Sequence, residues 1–233
     1  MNLLLNDEQT MLKNGAHEFF KARMPVKLLR ELRDRDAPQG FDGALWGEMA
    51  ALGWAGILIP EVHGGAGFGY KGVGQVMEAA GRTLAATPLA SSAVLAAPLL
   101  LAAGNVTQQA KFLPAIAAGE LLIALALDEA PRHAPSEIAT RAEASGAGFV
   151  LNGRKTFVVD GHVASRFIVV ARSHGERDAR PGCPCSWSMP KPAACSARAR
   201  AWSIIATPPS SASTMWKSLP MPCSAAWARA MRR

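Results

Sequence analysis

Gly67-x-Gly69-x-x-Gly72 is a spacing with which backbone can cradle the pyrophosphate of a dinucleotide, and the apolar run Gly56-Ile57-Leu58-Ile59-Pro60 precedes it. That chemistry needs a strand, a tight turn and a helix, with an acidic residue about 20 positions on to hold a ribose. Here Pro60 ends the apolar run before the glycines, and alanine-rich segments follow with no second strand. The spacing therefore predicts a glycine-rich loop between helices. The five histidines, at 17, 63, 133, 162 and 174, include no pair at metal-ligand spacing. Cys183 and Cys185 form one Cys-x-Cys, but Cys195 and Cys223 have no near partner, so no structural zinc is expected. A Gly-x-Ser-x-Gly nucleophile turn and a phosphate loop are both absent from the sequence.

The formal charge of +7 raises the question of a nucleic-acid partner. Lys191, Arg198, Arg200, Lys217, Arg229, Arg232 and Arg233 all lie beyond residue 182; taking these seven from the 25 basic residues leaves 18, equal to the 18 acids, all of which fall in 1–182. The body is neutral. A basic patch within a fold would favour phosphates, whereas this excess sits in a stretch without motif or period, so no nucleic-acid partner is expected. A basic nucleic-acid binder is kept as a rival, to be separated by a salt-dependent DNA titration. No apolar run reaches the roughly 20 residues of a membrane span, and "MNLLLNDEQT" lacks the basic region and cleavage site of a signal peptide. A cytoplasmic protein is the default expectation.

The elements around these residues fall into two textures. Asn6 with Gln9 three positions later predicts a capped helix, along which Leu12, Ala16, Phe19 and Phe20 recur at helical spacing. "FDGALWGEMAALGW" repeats the pattern, with Leu45, Met49 and Leu52 on one face and Gly53 as its stop. "GQVMEAAGRTLAA", "PLASSAVLAAPLLLAAG" and "TQQAKFLPAIAAGE" continue an alanine-rich bundle. Near Leu121 the texture changes to short alternating segments, and Phe149 to Phe157 reads as a hairpin turning at Asn152-Gly153. The fold class predicted is α+β: a helical bundle over 1–120, a partial antiparallel β-barrel domain over 121–182, and an irregular or disordered tail over 183–233.

"WGEMAALGWAGILIPEVHGGAGFG", "GRTLAATPL", "KFLPAIAAGELLIALALDE" and "GFVLNGRKTFVVDGHVASRFIVVAR", in that order, resemble the acyl-CoA dehydrogenase family from residue 3 to about 182. The resemblance implies a helical N-terminal domain, a β-barrel middle domain and a C-terminal four-helix domain. It also implies FAD as cofactor, acyl-CoA as substrate, an electron-transferring flavoprotein as acceptor, and a homo-oligomer. The family's first flavin stretch usually reads Thr-Glu-Pro-Gly-Ala-Gly-Ser. Here Leu125, Leu127 and Asp128 take the flavin side, Glu129 follows, and "APRHA" replaces the acyl-CoA side with Ala134 at the substrate serine. The second stretch, usually Trp-Ile-Thr-Asn, is Phe157-Val158-Val159-Asp160, so the resemblance carries flavin contact to Phe157, Val158 and Val159. The family's base is a Glu in the C-terminal domain. Neither Glu129 nor Glu61 sits at its position, so no catalytic residue is expected within this chain.

The tail, 183–233, has no Asp, Glu or Gly but holds all four cysteines and four of the six tryptophans. Cys183-Pro-Cys-Ser-Trp-Ser-Met-Pro190 stands where the family strand reads like Leu-Ser-Leu-Phe-Leu-Val-Asp-Ala. Codons rich in G or C at the third base, written for Gly182 to Pro190 and read one base earlier, give that strand back. The steps out of Trp187, Met189, Trp202, Met215 and Trp216, whose codons are fixed, give Val, Ala, Val, Val and Glu. The expectation is a chain truncated and inactive because one base is missing near codons 182 and 183, with a non-catalytic fragment that at most binds flavin or a family partner as the alternative. Sequencing the gene across codons 175–195 is expected to reveal one further base, after which the frame runs on without an early stop; an unchanged sequence, or a stop within a few dozen codons, contradicts this.

Overall fold

The computed structural model describes residues 4–135, 137–145, 148–172, 201–206, 215–216 and 220–222. The chain divides into two compact units, one comprising 1–124 with 162–165 and the other 125–161 with 166–233. The α+β class expected from the sequence is observed.

The first unit is helical. It contains α1 (Asp7–Arg23), α2 (Val26–Asp34), α3 (Gly43–Ala51), α4 (Gly69–Arg82), a π-helical segment Ala90–Ala96 running into α5 (Ala97–Ala103), and α6 (Val106–Ala117). Asn6 and Gln9 form the expected reciprocal cap: Gln9 N donates to Asn6 Oδ1 at 2.8 Å and Asn6 N to Gln9 Oε1 at 3.2 Å. Asn105 and Gln108 repeat the arrangement ahead of α6, at 2.9 and 3.0 Å, which the sequence reading did not single out. Each cap satisfies orphan amides of a first turn.

Gly53 closes α3 as expected, at φ +79°. Its N–H donates to Ala50 O and that of Trp54 to Met49 O, at 2.8 and 3.0 Å, a Schellman closure that turns Trp54 back into the core. Leu45 and Met49 are buried as predicted, whereas Leu52 is 54% exposed. The closure explains the difference: Leu52 is the helix's last half-in residue, and Trp54 takes the inward position beyond it. Phe20 stacks on Trp54 at 5.4 Å between ring centres, and Phe19 meets the same indole edge-on at 5.1 Å. Trp46 donates from Nε1 to Gly119 O at 2.8 Å. Gly119 lies at φ +74°, and a Cβ there would approach Ala50 Cβ to 2.6 Å, so only glycine permits this approach of chain to α3.

Residues 56–68 form turns rather than a strand, and Gly69 opens α4. Of the glycine spacing at 67–72, only Gly67 lies in the expected loop; Gly69 and Gly72 lie in the first turn of α4.

The second unit holds a mixed sheet. Its strands are β1 (Ile123–Ala126), which straddles the boundary, β2 (Arg141–Ser145), β3 (Gly148–Arg154) and β4 (Arg166–Arg172), in the order β1-β4-β2-β3. Three short strands from the tail, β5 (Ala201–Ala206), β6 (Met215–Trp216) and β7 (Pro220–Pro222), pair antiparallel with β4, β3 and β3 respectively; the rest of 183–233 lies outside the described residues. One pairing departs from the expected antiparallel sheet, because β2 runs parallel to β4 through Arg141 and Arg172.

The hairpin is also displaced. β3 passes straight through Asn152-Gly153, with Asn152 opposite Arg141 and Gly148 opposite Ser145, so the connection falls at 146–147, outside the described residues. Gly153 serves packing instead of a turn: a Cβ there would meet Thr140 Oγ1 at 2.4 Å. Phe20→Ala is expected to cost about 3–5 kcal/mol and Asn105→Ala about 1 kcal/mol, both measured by urea denaturation. An equal, small loss in both would mean that the aromatic cluster does not anchor the bundle.

Candidate functional site

Lys155 and Thr156 follow the last residue of β3, and between them they bind four consecutive residues at the exit of β1. Lys155 Nζ donates to Leu127 O at 2.9 Å and to Glu129 Oε1 at 2.7 Å. Thr156 N donates to Asp128 O at 2.8 Å, and Thr156 Oγ1 to Ala130 O at 3.4 Å. The Glu129 carboxylate also accepts from Ala139 N at 2.6 Å and Thr140 N at 2.9 Å. One carboxylate thus ties the loop's start at 129 to its return at 139–140. Thr140 O then accepts from Arg172 N on β4 at 2.9 Å.

The Lys155 side chain is fully buried and that of Glu129 is 9% exposed. Alternation along β3 puts Leu151, Gly153 and Lys155 on the inward face, and the lysine is buried there because its charge is matched. Burial pushes the Lys155 amine below its ordinary value, against the opposing pull of Glu129 and then Asp128. Burial pushes the Glu129 carboxyl up, but the Lys155 hydrogen bond and the Thr140 and Ala139 amides outweigh it, so the net displacement is downward.

This clamp brings together most of the residues singled out from the sequence. Asp128 lies beside Thr156, and Phe157, Val158 and Val159 follow Thr156 directly in a turn. Phe157 is 73% exposed and Val159 54%. Phe157 and Asp160 take left-handed backbone conformations, at φ +51° and +54°, which cost non-glycine residues about 1–3 kcal/mol and cluster at functional sites. Gly161 N closes the turn onto Val158 O at 3.0 Å. Leu125 and Leu127 are half-buried on β1 and directly after it. Asp128 pairs through Oδ1 with His133 Nδ1 at 3.0 Å, on an exposed loop where Arg132 also pairs with Glu137. Ala134 lies in that loop, its carbonyl engaged locally by Glu137 N at 2.9 Å; no bond ties it to the 157–159 turn.

Lys155 escaped the sequence reading. The available signal was its position two and four residues beyond Gly153 and Leu151, which places a charge on an inward face. Among the described residues no group of three or more His, Cys, Asp or Glu could hold a metal, and no helix is long and apolar enough to cross a membrane.

Residues 6–120 match the acyl-CoA dehydrogenase N-terminal domain, and the chain belongs to the acyl-CoA dehydrogenase family. It is 31% identical over 176 residues to mitochondrial isovaleryl-CoA dehydrogenase of Bos taurus, covering 72% of this chain and 40% of that protein. Among solved structures it resembles butyryl-CoA dehydrogenase from Megasphaera elsdenii, at 26% identity and a TM-score of 0.62, over 78% of this chain and 51% of that one. The ChsE4-ChsE5 complex from Mycobacterium tuberculosis gives 30% identity and a TM-score of 0.65, over 74% and 46%. The chain therefore spans about half, or less, of the length of these relatives.

Acid should break the clamp. Glu129 has a lowered carboxyl, so its contribution is present above the ordinary glutamate value and is lost as pH falls through the lowered folded value. Urea midpoints should drop across that acid range. Glu129→Gln should flatten the drop while lowering stability at neutral pH by about 3–5 kcal/mol, since Lys155 stays buried with no counter-charge. An acid limb identical in both proteins contradicts the assignment.

Proposed function

We propose that this chain carries the helical domain and the flavin-contacting part of an FAD-dependent acyl-CoA dehydrogenase, acting on an acyl-CoA thioester. The observation that carries this reading is the bond from Thr156 N to Asp128 O, which holds Asp128 beside the residue that leads into the exposed Phe157–Val159 turn; by the family resemblance these segments correspond to the two flavin stretches. The site suits the group. An exposed aromatic side chain and Val159 offer an apolar platform to a planar heterocycle, and the two hydroxyls usual in the family are replaced by Asp128 and Val159. Leu125, Leu127, Asp128, Phe157, Val158 and Val159 would hold FAD, their polar contacts coming mainly from the main chain. When bound, FAD supplies acceptance of hydride from the carbon beta to the thioester.

This chain's own residues would bind and orient the cofactor and keep its face dry. Ala134 would lie on the acyl-CoA side, offering no hydroxyl. Proton removal from the alpha carbon needs a carboxylate base, and Glu129 does not serve: its two oxygens are taken by Lys155, Ala139 and Thr140. Glu61, exposed in a short 3-10 turn of the helical unit, is not at the family's base position either. From the codon pattern we infer that residues 183–233 are read out of frame, and that the chain as given does not turn over; the alternative is a non-catalytic fragment that at most binds flavin or a family partner. The restored protein would form a homo-oligomer and pass electrons to an electron-transferring flavoprotein.

The decisive experiment compares the present gene with one carrying a single C inserted between codons 182 and 183. The restored protein should purify with FAD and reduce it on addition of an acyl-CoA, whereas the present chain should leave flavin oxidised. Turnover by the present chain, or no flavin reduction by the restored protein with any of a short-, medium- or branched-chain acyl-CoA, defeats the proposal.

A further inference from the structure

A buried lysine that donates to a main-chain carbonyl and a carboxylate at once does more than neutralise charge. Lys155 Nζ reaches Leu127 O at 2.9 Å and Glu129 Oε1 at 2.7 Å from a fully buried stem. A methionine or leucine of similar volume would fill the same space without the cost of desolvating an ammonium, so packing alone does not call for a lysine. Its direction is specific: residue 155 immediately precedes the strained turn at Phe157, and its two acceptors flank Asp128.

We propose that Lys155 is a positioning residue for the cofactor edge, fixing the main chain at Leu127–Asp128 against the Thr156–Val159 turn, with Glu129 as the counter-charge that allows it to be buried there. The inference rests on the flavin reading given above. Four hydrogen bonds set the separation of the two stretches: Lys155 to Leu127, Lys155 to Glu129, Thr156 N to Asp128 O, and the longer Thr156 Oγ1 to Ala130 O. The first two disappear with any residue lacking a donor at 155. Only the two from Thr156 then remain, in a turn whose Phe157 already sits at φ +51°. Asp128 lends a further constraint through His133, but that pair is on the exposed side and leaves the carbonyls of 127 and 128 unfixed.

Two variants of the full chain separate positioning from charge balance. Lys155→Met keeps the stem volume and removes the donor, while Glu129→Gln with Lys155→Met also removes the orphaned carboxylate. FAD affinity is read from quenching of flavin fluorescence on titration, stability from the urea midpoint, and local order from hydrogen exchange at the Ala139, Thr140 and Thr156 amides. Lys155→Met should weaken FAD by about tenfold, the scale of one lost charge-assisted hydrogen bond, and speed exchange at Thr156. The double variant should recover much of the urea midpoint yet keep the weakened FAD affinity and the fast Thr156 amide. Should the double variant bind FAD like the unmodified protein, or Thr156 exchange stay unchanged in both variants, the proposal is overturned. If the unmodified chain quenches no flavin fluorescence, the cofactor reading fails for this chain, and the exchange arm then decides Lys155 by itself: a faster Thr156 amide in the double variant supports it, and an unchanged one removes it.

Discussion

A single ammonium group, buried without solvent contact, constrains the second unit of this protein. Lys155 can remain charged there only because Glu129 lies 2.7 Å away, and Glu129 can remain ionised only because the lysine and two amides address its oxygens. Neither charge is tolerable without the other. The consequence is geometric as well as energetic: the exit of β1, the return of the loop at 139–140 and the residues after β3 are fixed around one pair. The Thr156–Val159 turn follows directly from that point.

The helical unit is held by a different kind of force. Its cluster is apolar, with Phe20, Trp54, Met49 and Val76 all buried, and the buried polar side chains of the unit, Ser91 and Ser92, each donate to a main-chain carbonyl. Hydrophobic burial is non-directional, so such a bundle tolerates variation in detail while keeping its form. That agrees with a chain about 30% identical to its relatives that still matches their N-terminal domain over 6–120. The second unit depends instead on short directional bonds, one of which runs from Thr156 N to the main-chain oxygen of Asp128.

The clamp also bears on chemistry. Glu129 is the glutamate that directly follows Leu125–Asp128, which makes it a candidate for a base. Its lone pairs are already committed, and its displacement toward the ionised form comes from holding structure. A carboxylate so engaged has neither the freedom nor the proton affinity that abstraction from carbon requires. A titratable group displaced from its ordinary value can thus be structural, and here its partners identify it as such.

Local rules in the sequence determined the helix ends and the family. Asn6 with Gln9 and Gly53 after α3 act within a few residues, so their outcome needs nothing distant. The switch from helices to strands near Leu121 was likewise legible from the change of local pattern. Tertiary structure decided what depended on remote neighbours. Asn152-Gly153 carries a strong short-range turn signal, yet it lies inside β3, Asn152 paired with Arg141, where the close approach of Thr140 leaves room only for glycine at 153. Leu52 has the period of a core residue but lies outside because the Schellman closure turns Trp54 inward. Lys155 reads as a surface charge beside Arg154, and only the arrival of Glu129 from 26 positions upstream makes its burial possible. Short-range signals fix what a residue prefers, and long-range partners decide whether that preference survives, since a buried charge or a close backbone contact is worth more than a turn propensity.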